Sequence, residues 1–219
     1  MKAIKKLKTT KYLFMILIYS ISFLSCEDNE IEIPPTEQAV AQLEGGVPED
    51  KSIDINNDGQ YDFEIKYQAL GKIIQDGPPF QVVIEGRIDP LNDNHFFKQD
   101  TVLYRTNPFF EVGDTMKRNN NSNSTWDDYS VGAIYIDGRL IHDEEGDPMK
   151  TNEGWYKYEW RDNWYVGAGK TSDFFLGFKL KTNDPPKIGW MLLDFNIENG
   201  EISIIESKIT DYDKLIIER

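Results

Sequence analysis

Period-two alternation of apolar and polar positions runs through most of the chain and predicts short half-buried strands. In Asp62 to Ala69, Phe63, Ile65, Tyr67 and Ala69 share one face, while Glu64, Lys66 and Gln68 share the other. Phe80 to Ile88 repeats the pattern with Phe80, Val82, Ile84 and Ile88. Phe96 to Arg105 and Phe109 to Val112 read as further strands. Tyr129 to Ile136 is followed by Asp137-Gly138, a hairpin signal, with Arg139 to His142 as the returning strand. Trp155 to Trp160 and Trp164 to Gly167 flank Arg161-Asp162-Asn163 and read as a second hairpin. Phe174 to Lys181 sets Phe174, Leu176, Phe178 and Leu180 against Phe175, Gly177, Lys179 and Lys181. Ile188 to Ile197 and Glu201 to Ile209 are joined through Asn199-Gly200, and Lys214 to Ile217 is expected to close the sheet as an edge.

No stretch after the first 25 residues sustains a 3.6-residue apolar period. Eight to ten short strands separated by turn residues predict an all-β fold, an antiparallel β-sandwich or jelly-roll-like single domain over residues 51–219.

The start of the chain follows a different rule. Lys2, Lys5, Lys6, Lys8 and Lys11 precede an apolar run from Tyr12 to Leu24, which ends at Ser25-Cys26. The run is shorter than the ~20 residues needed to cross a bilayer, so residues 1–25 read as a cleaved signal. Phe23-Leu24-Ser25-Cys26 resembles the lipobox of bacterial lipoproteins, although the commonest form has leucine first and a small residue second. The resemblance implies a covalent lipid on Cys26 and a membrane held through that anchor. Glu27-Asp28-Asn29-Glu30 is similar to the acidic stretch after the cysteine of Bacteroidota-type surface lipoproteins, which implies an outer-membrane protein facing the cell exterior. Residues 26–50, with Ile33-Pro34-Pro35 and Gly45-Gly46-Val47-Pro48, read as a lipidated flexible tether in which the glycines break any helix begun by Thr36 to Leu43.

Charge removes one class of partner. Without the five signal lysines, 19 basic groups face 38 acidic ones, so the domain would repel the polyanionic backbone of nucleic acid. Cys26 is the only cysteine, which excludes an intramolecular disulfide and a Cys-based metal site. The 194 residues from Cys26 onward suffice for one domain with a core.

The sharpest chemical motif of the domain is Asp54, Asn56, Asp58 and Asp62 in a D-x-N-x-D-G-x-x-D pattern, with Gly59 for the turn and the Gln60 carbonyl as a fifth oxygen. Alternate positions of a tight turn converge oxygens on one point, as calcium requires. Ile65 stands where an EF-hand has its bidentate glutamate, so the loop resembles the shorter aspartate-rich loops of dockerin and thrombospondin type 3 modules. The competing reading is a hydrophilic turn without metal. Asp143-Glu144-Glu145-Gly146-Asp147 reads as a charged hairpin tip, with a second cation site as the alternative. Ser52 to Phe63, Phe175 to Leu180 and Ile188-Gly189-Trp190 also resemble phrases in surface β-domains of the same bacterial group, many of them uncharacterised.

Catalytic constellations are scarce. The histidines are His95 and His142, and no G-x-S-x-G elbow occurs, so Cys-His chemistry is excluded and a Ser-His-Asp triad has little to draw on. Alternation places Tyr156, Tyr158 and Trp160 on one face of their strand with Trp155 opposite, and Trp164 follows. Such a set either stacks on sugar rings or fills a core. These features predict a non-catalytic lipoprotein that binds a glycan or an envelope protein or serves a structural role. The alternative is a carbohydrate-active hydrolase using a carboxylate pair.

Overall fold

Phe174–Leu180 and Lys187–Asn196 are apolar on both faces, which a strand tolerates only when both faces are covered. The computed structural model meets that demand with a layer on either side. It describes residues 33–73, 78–99, 109–119, 124–161, 163–166 and 174–218. The expected signal, Cys26, the acidic stretch at 27–30 and the end of the Phe96–Arg105 strand lie outside the described residues.

The strands in chain order are β1 (Lys51–Ile53), β2 (Phe63–Lys72), β3 (Gln81–Pro90), β4 (His95–Gln99), β5 (Phe109–Phe110), β6 (Thr115–Lys117) and β7 (Ser124–Asp127). They continue as β8 (Val131–Leu140), β9 (Tyr158–Trp160), β10 (Tyr165–Val166), β11 (Phe174–Leu180), β12 (Lys187–Asn196), β13 (Glu201–Thr210) and β14 (Lys214–Ile216). The first sheet runs β1-β2-β3-β8-β10, with β9 also on β8; the second runs β13-β12-β11-β4-β7, with β5 also on β11. All pairings are antiparallel. The fold is an all-β sandwich.

The main core lies between the two sheets. Phe63 and Ile65 of β2, Ile84 and Ile88 of β3 and Ile134 of β8 meet Phe174, Leu176 and Phe178 of β11 and Met191 and Leu193 of β12. A second core covers the other face of β11 and β12. There Phe175, Ile188, Trp190 and Leu192 pack with Phe97, Phe110, Met116 and Trp126 beneath Leu215 and Ile217. The two faces expected for β11 are both real, and each finds its own core.

Several turn expectations change. Asp137-Gly138 does not reverse the chain, because β8 runs straight through it. Asp137 is buried, accepts the Gln81 side-chain amide at 2.8 Å and pairs with Arg161, while a Cβ on Gly138 would sit 2.9 Å from the Trp160 ring. The dipeptide serves an ion pair to the buried Asp137 carboxylate and a close ring, not a turn. β9 and β10 do not pair with each other; both lie along the same edge of β8, at Gly138–Leu140 and Ile134–Tyr135. β14 does not extend the sandwich but pairs with β6 as a small separate sheet, whose Met116 and Leu215 cap the second core. The Asn199-Gly200 hairpin forms as expected, with a four-residue loop closed by the Asn196–Glu201 pair.

The stretch expected as tether is folded from Pro34 onward, and Pro34–Arg219 forms one compact unit. Pro35–Val40 is a helix, α1, whose proline at the first turn costs no hydrogen bond. Ala39 is fully buried, and Val40, Leu43 and Val47 pack against the main core. The Gln42 side chain donates to the Tyr156 carbonyl at 2.8 Å and accepts from the Tyr158 amide at 3.2 Å. Among the described residues no helix is long and apolar enough to cross a membrane.

Candidate functional site

Residues 54–62 form the loop of the β1–β2 hairpin, closed by the Asp62 amide donating to the Ile53 carbonyl at 2.7 Å. Within it Asp54 receives the amides of Asp58 at 3.2 Å and Gly59 at 2.8 Å. Asn56 Oδ1 receives the Asp58 amide at 2.9 Å, and Asp58 Oδ1 receives the Gln60 amide at 2.9 Å. Asn57 and Gly59 take positive φ of 58° and 88°, which wraps the backbone around the Asp54 carboxylate. Asp54, Asn56 and Asp58 are therefore drawn into one exposed turn. Asp58 Oδ2 also accepts the Asn56 side-chain amide at 2.9 Å, so the side chains of Asp54, Asn56 and Asp58 bond within the loop itself.

Asp62 has a different place from the other three. It is 1% exposed, and its carboxylate accepts the Ile55 amide at 3.0 Å and the Asn94 side-chain amide at 3.2 Å. Burial pushes its pKa up, the Ile55 and Asn94 hydrogen bonds pull it down, and the charges of Asp58 and Asp54 add a smaller upward push. The expected ligand Asp62 thus ties the loop to the domain from beneath. Sequence reasoning missed Asn94, which is fully buried and also accepts the Lys181 amide at 2.9 Å. Its position after Asn92-Asp93, both at positive φ, marks a tight turn but gives no hint of the partner.

Asp143, Glu145 and Asp147 are the one group of three acidic side chains, among the described residues, with oxygens within 4.8 Å of one another. All three are exposed, and Asp143 Oδ1 receives the amides of Glu145 at 3.0 Å and Asp147 at 2.9 Å. This is the geometry of a charged turn tip that gathers its own backbone amides.

The four aromatic candidates do not make an open platform. Tyr158 and Trp164 are each 5% exposed, and Tyr156 and Trp160 are half-buried. Tyr156, Tyr158 and Trp160 do share a face, as alternation predicts, but it packs on Ala39 of α1 and Val82 of β3. The Tyr158 hydroxyl donates to the Pro79 carbonyl at 2.7 Å, and the Trp164 indole lies on Gly200. His95 is half-buried on β4, where burial and then Lys181 lower its pKa. His142 is exposed at the start of the acidic turn.

Beside the acidic loop a groove runs between β1 and β13, along the open side of the sandwich. One section of about 570 Å³ is lined by Lys51, Ile53, Asp54, Ile65, Ile202 and Ile204. An adjoining section of about 350 Å³ is lined by Asn56, Lys187, Ile209 and Asp211 and shares Ile55 and Ser207 with the first. Isoleucines floor the groove, and Lys51 pairs with Glu201 across it. Its acidic lining side chains are Asp54 and Asp211, one in each section. β13 forms the far wall, and residues 205–208 of that strand are exposed. Comparison of the chain with models of protein families, with curated proteins and with solved structures finds no match, so the reading of this surface rests on its own residues.

Proposed function

We propose that this chain is a lipid-anchored protein of the outer membrane, facing the cell exterior, that works non-catalytically by binding another polypeptide along β13. The observation that carries the reading is the edge of β13 itself. It is ten residues long, whereas the other described strands at sheet edges, β1, β5, β6, β7, β9, β10 and β14, have two to four. Natural sheets keep edges short or covered because an open strand recruits another chain. Ile205 on this edge is 60% exposed beside a groove floored by isoleucines. Main-chain hydrogen bonds would supply affinity and the groove selectivity.

The burial of Tyr158 and Trp164 favours a protein over a glycan, since stacking on a sugar needs open ring faces. A hydrolase would require two carboxylates facing each other at roughly 5 to 9.5 Å, and Asp54 and Asp211 stand in separate sections of the groove. Calcium held by Asp54, Asn56, Asp58 and the Gln60 carbonyl is part of the same reading, as a stiffener of the wall opposite β13.

A photoreactive amino acid at Ile205, in the full chain on intact cells, tests the reading. Irradiation should give a protein adduct from that position and none from Tyr129, which is 67% exposed on another part of the surface. Equal labelling at the two positions, or no adduct at Ile205, would overturn it.

A further inference from the structure

We infer that β13 pairs with β13 of a second copy of this chain, antiparallel and centred on Ser207. The inference rests on the polypeptide-binding reading and names the partner. The strand order around Ser207 is Ile205, Glu206, Ser207, Lys208, Ile209. Running it antiparallel to itself about Ser207 sets Glu206 against Lys208 of the second copy, Lys208 against Glu206, and Ile205 against Ile209. A two-fold interface must be complementary to itself, and this segment is.

The geometry of the edge agrees with the register. β12 pairs Leu192 with Glu206 and Leu193 with Ile204, which leaves Ile205 as the extra residue of a bulge. Beyond the bulge, Glu206 to Thr210 continue in regular pairing down to Ile188. Ser207 and Ile209 line the groove, and alternation along the regular ladder beyond the bulge puts Glu206 and Lys208 on the other side. The charged pairs therefore fall on the face of the combined sheet away from the groove. Upstream, the Ile202 amide already donates to the Tyr67 hydroxyl at 3.0 Å, so the free edge begins beyond it.

Charge selects this register over others. The whole chain carries a net charge of −14, so two copies repel until opposite charges meet at close range. Lys208 also pairs with Glu218 of its own chain at 3.4 Å, but both side chains are about half or more exposed and such a pair holds Lys208 weakly. Attachment of both copies to one membrane would raise their effective concentration and let a short ladder suffice.

The register can be trapped covalently. Residues on the axis of an antiparallel pair have Cα atoms roughly 4.5 to 5.5 Å apart, within the reach of a disulfide. Ser207→Cys in the full-length chain, oxidised mildly on intact cells, should give a reducible species of twice the chain mass. Wild-type protein, Tyr129→Cys and Tyr212→Cys should not. Adding Glu206→Lys or Lys208→Glu alone sets like charges in contact and should remove the dimer. Co-expressing the two reversals, each with Ser207→Cys and a different tag, should restore it as a mixed dimer. Cross-linking of Ser207→Cys no stronger than Tyr129→Cys, or unchanged by either reversal, would overturn the pairing. An Ile205 photoadduct of any other mass would overturn it while leaving the polypeptide-binding reading standing, and no adduct at all would remove both.

Discussion

The indole of Trp164 lies directly on Gly200, where a Cβ would collide with its six-membered ring. Trp164 precedes β10 of the first sheet, Gly200 closes the β12–β13 loop of the second, and the Trp164 amide donates to the Ile197 carbonyl at 2.9 Å. The contact joins the two sheets at one end of the sandwich. Gly200 also holds φ at 76°, so two independent requirements exclude a side chain there. Gly146 has φ of 90° but open space around it. Gly146→Ala should therefore cost only backbone strain, about 1 kcal/mol, and Gly200→Ala about 3 kcal/mol because the ring must also move. Denaturant unfolding of both variants measures the difference; equal losses would mean that Trp164 is not held on the glycine.

The acidic loop should respond to calcium through Asp54 and to core integrity through Asp62. A ten-fold calcium excess over Kd should add about 1.4 kcal/mol of stability, read as a higher melting temperature by calorimetry than with chelator. Asp54→Ala should erase that shift. Asp62→Ala should lower stability by about 2 to 4 kcal/mol with or without calcium, since it strands the Ile55 amide and the buried Asn94. Identical melting temperatures of the wild type in calcium and chelator would leave the loop as a self-bonded turn.

Stability should pass through a maximum near pH 10. Lys179 lies over the Trp126 ring at 4.7 Å, and burial first, then Lys181 and Arg118, holds its pKa down to about 8 from 10.5. Between those values the unfolded chain binds a proton that the folded chain has released, so stability rises with pH across the window. Burial, with Tyr156, pushes Tyr158 from 10.0 up to about 12. There the unfolded chain loses its proton first, and stability falls between those values. Lys179→Met should abolish the rise and leave the fall, as followed by urea midpoints at successive pH values.

Cys26→Ala should abolish incorporation of labelled palmitate and free the protein from the membrane fraction. Recovery of wild-type protein as a soluble species with an unmodified thiol would contradict the anchor. Protease treatment of intact cells separately reports which side of the outer membrane carries the domain.

Alternation along the chain was enough to find β2, β3, β11, β12 and β13 within a residue or three of their ends and to specify an antiparallel all-β fold, because a strand's pattern is a local property. The same pattern assigned Phe174 and Phe175 to opposite faces. What no local pattern holds is how many layers cover a face. Phe175 and Trp190 needed the β6–β14 sheet above them, built from segments about a hundred residues apart. Asp137-Gly138 has the composition of a turn, yet Arg161 and Trp160 from another strand convert it into the middle of β8. Thr36 to Leu43 reads as a tether until Gln42 meets the Tyr156 carbonyl, a bond to a residue 114 positions away. For the candidate sites, spacing gathered Asp54, Asn56 and Asp58, since their hydrogen bonds close within five residues. Tertiary structure alone turned Asp62 inward to Asn94, buried Tyr158 and Trp164, and left residues 205–208 exposed on β13, the longest edge strand among the described residues, because burial depends on which distant segment arrives to cover a residue.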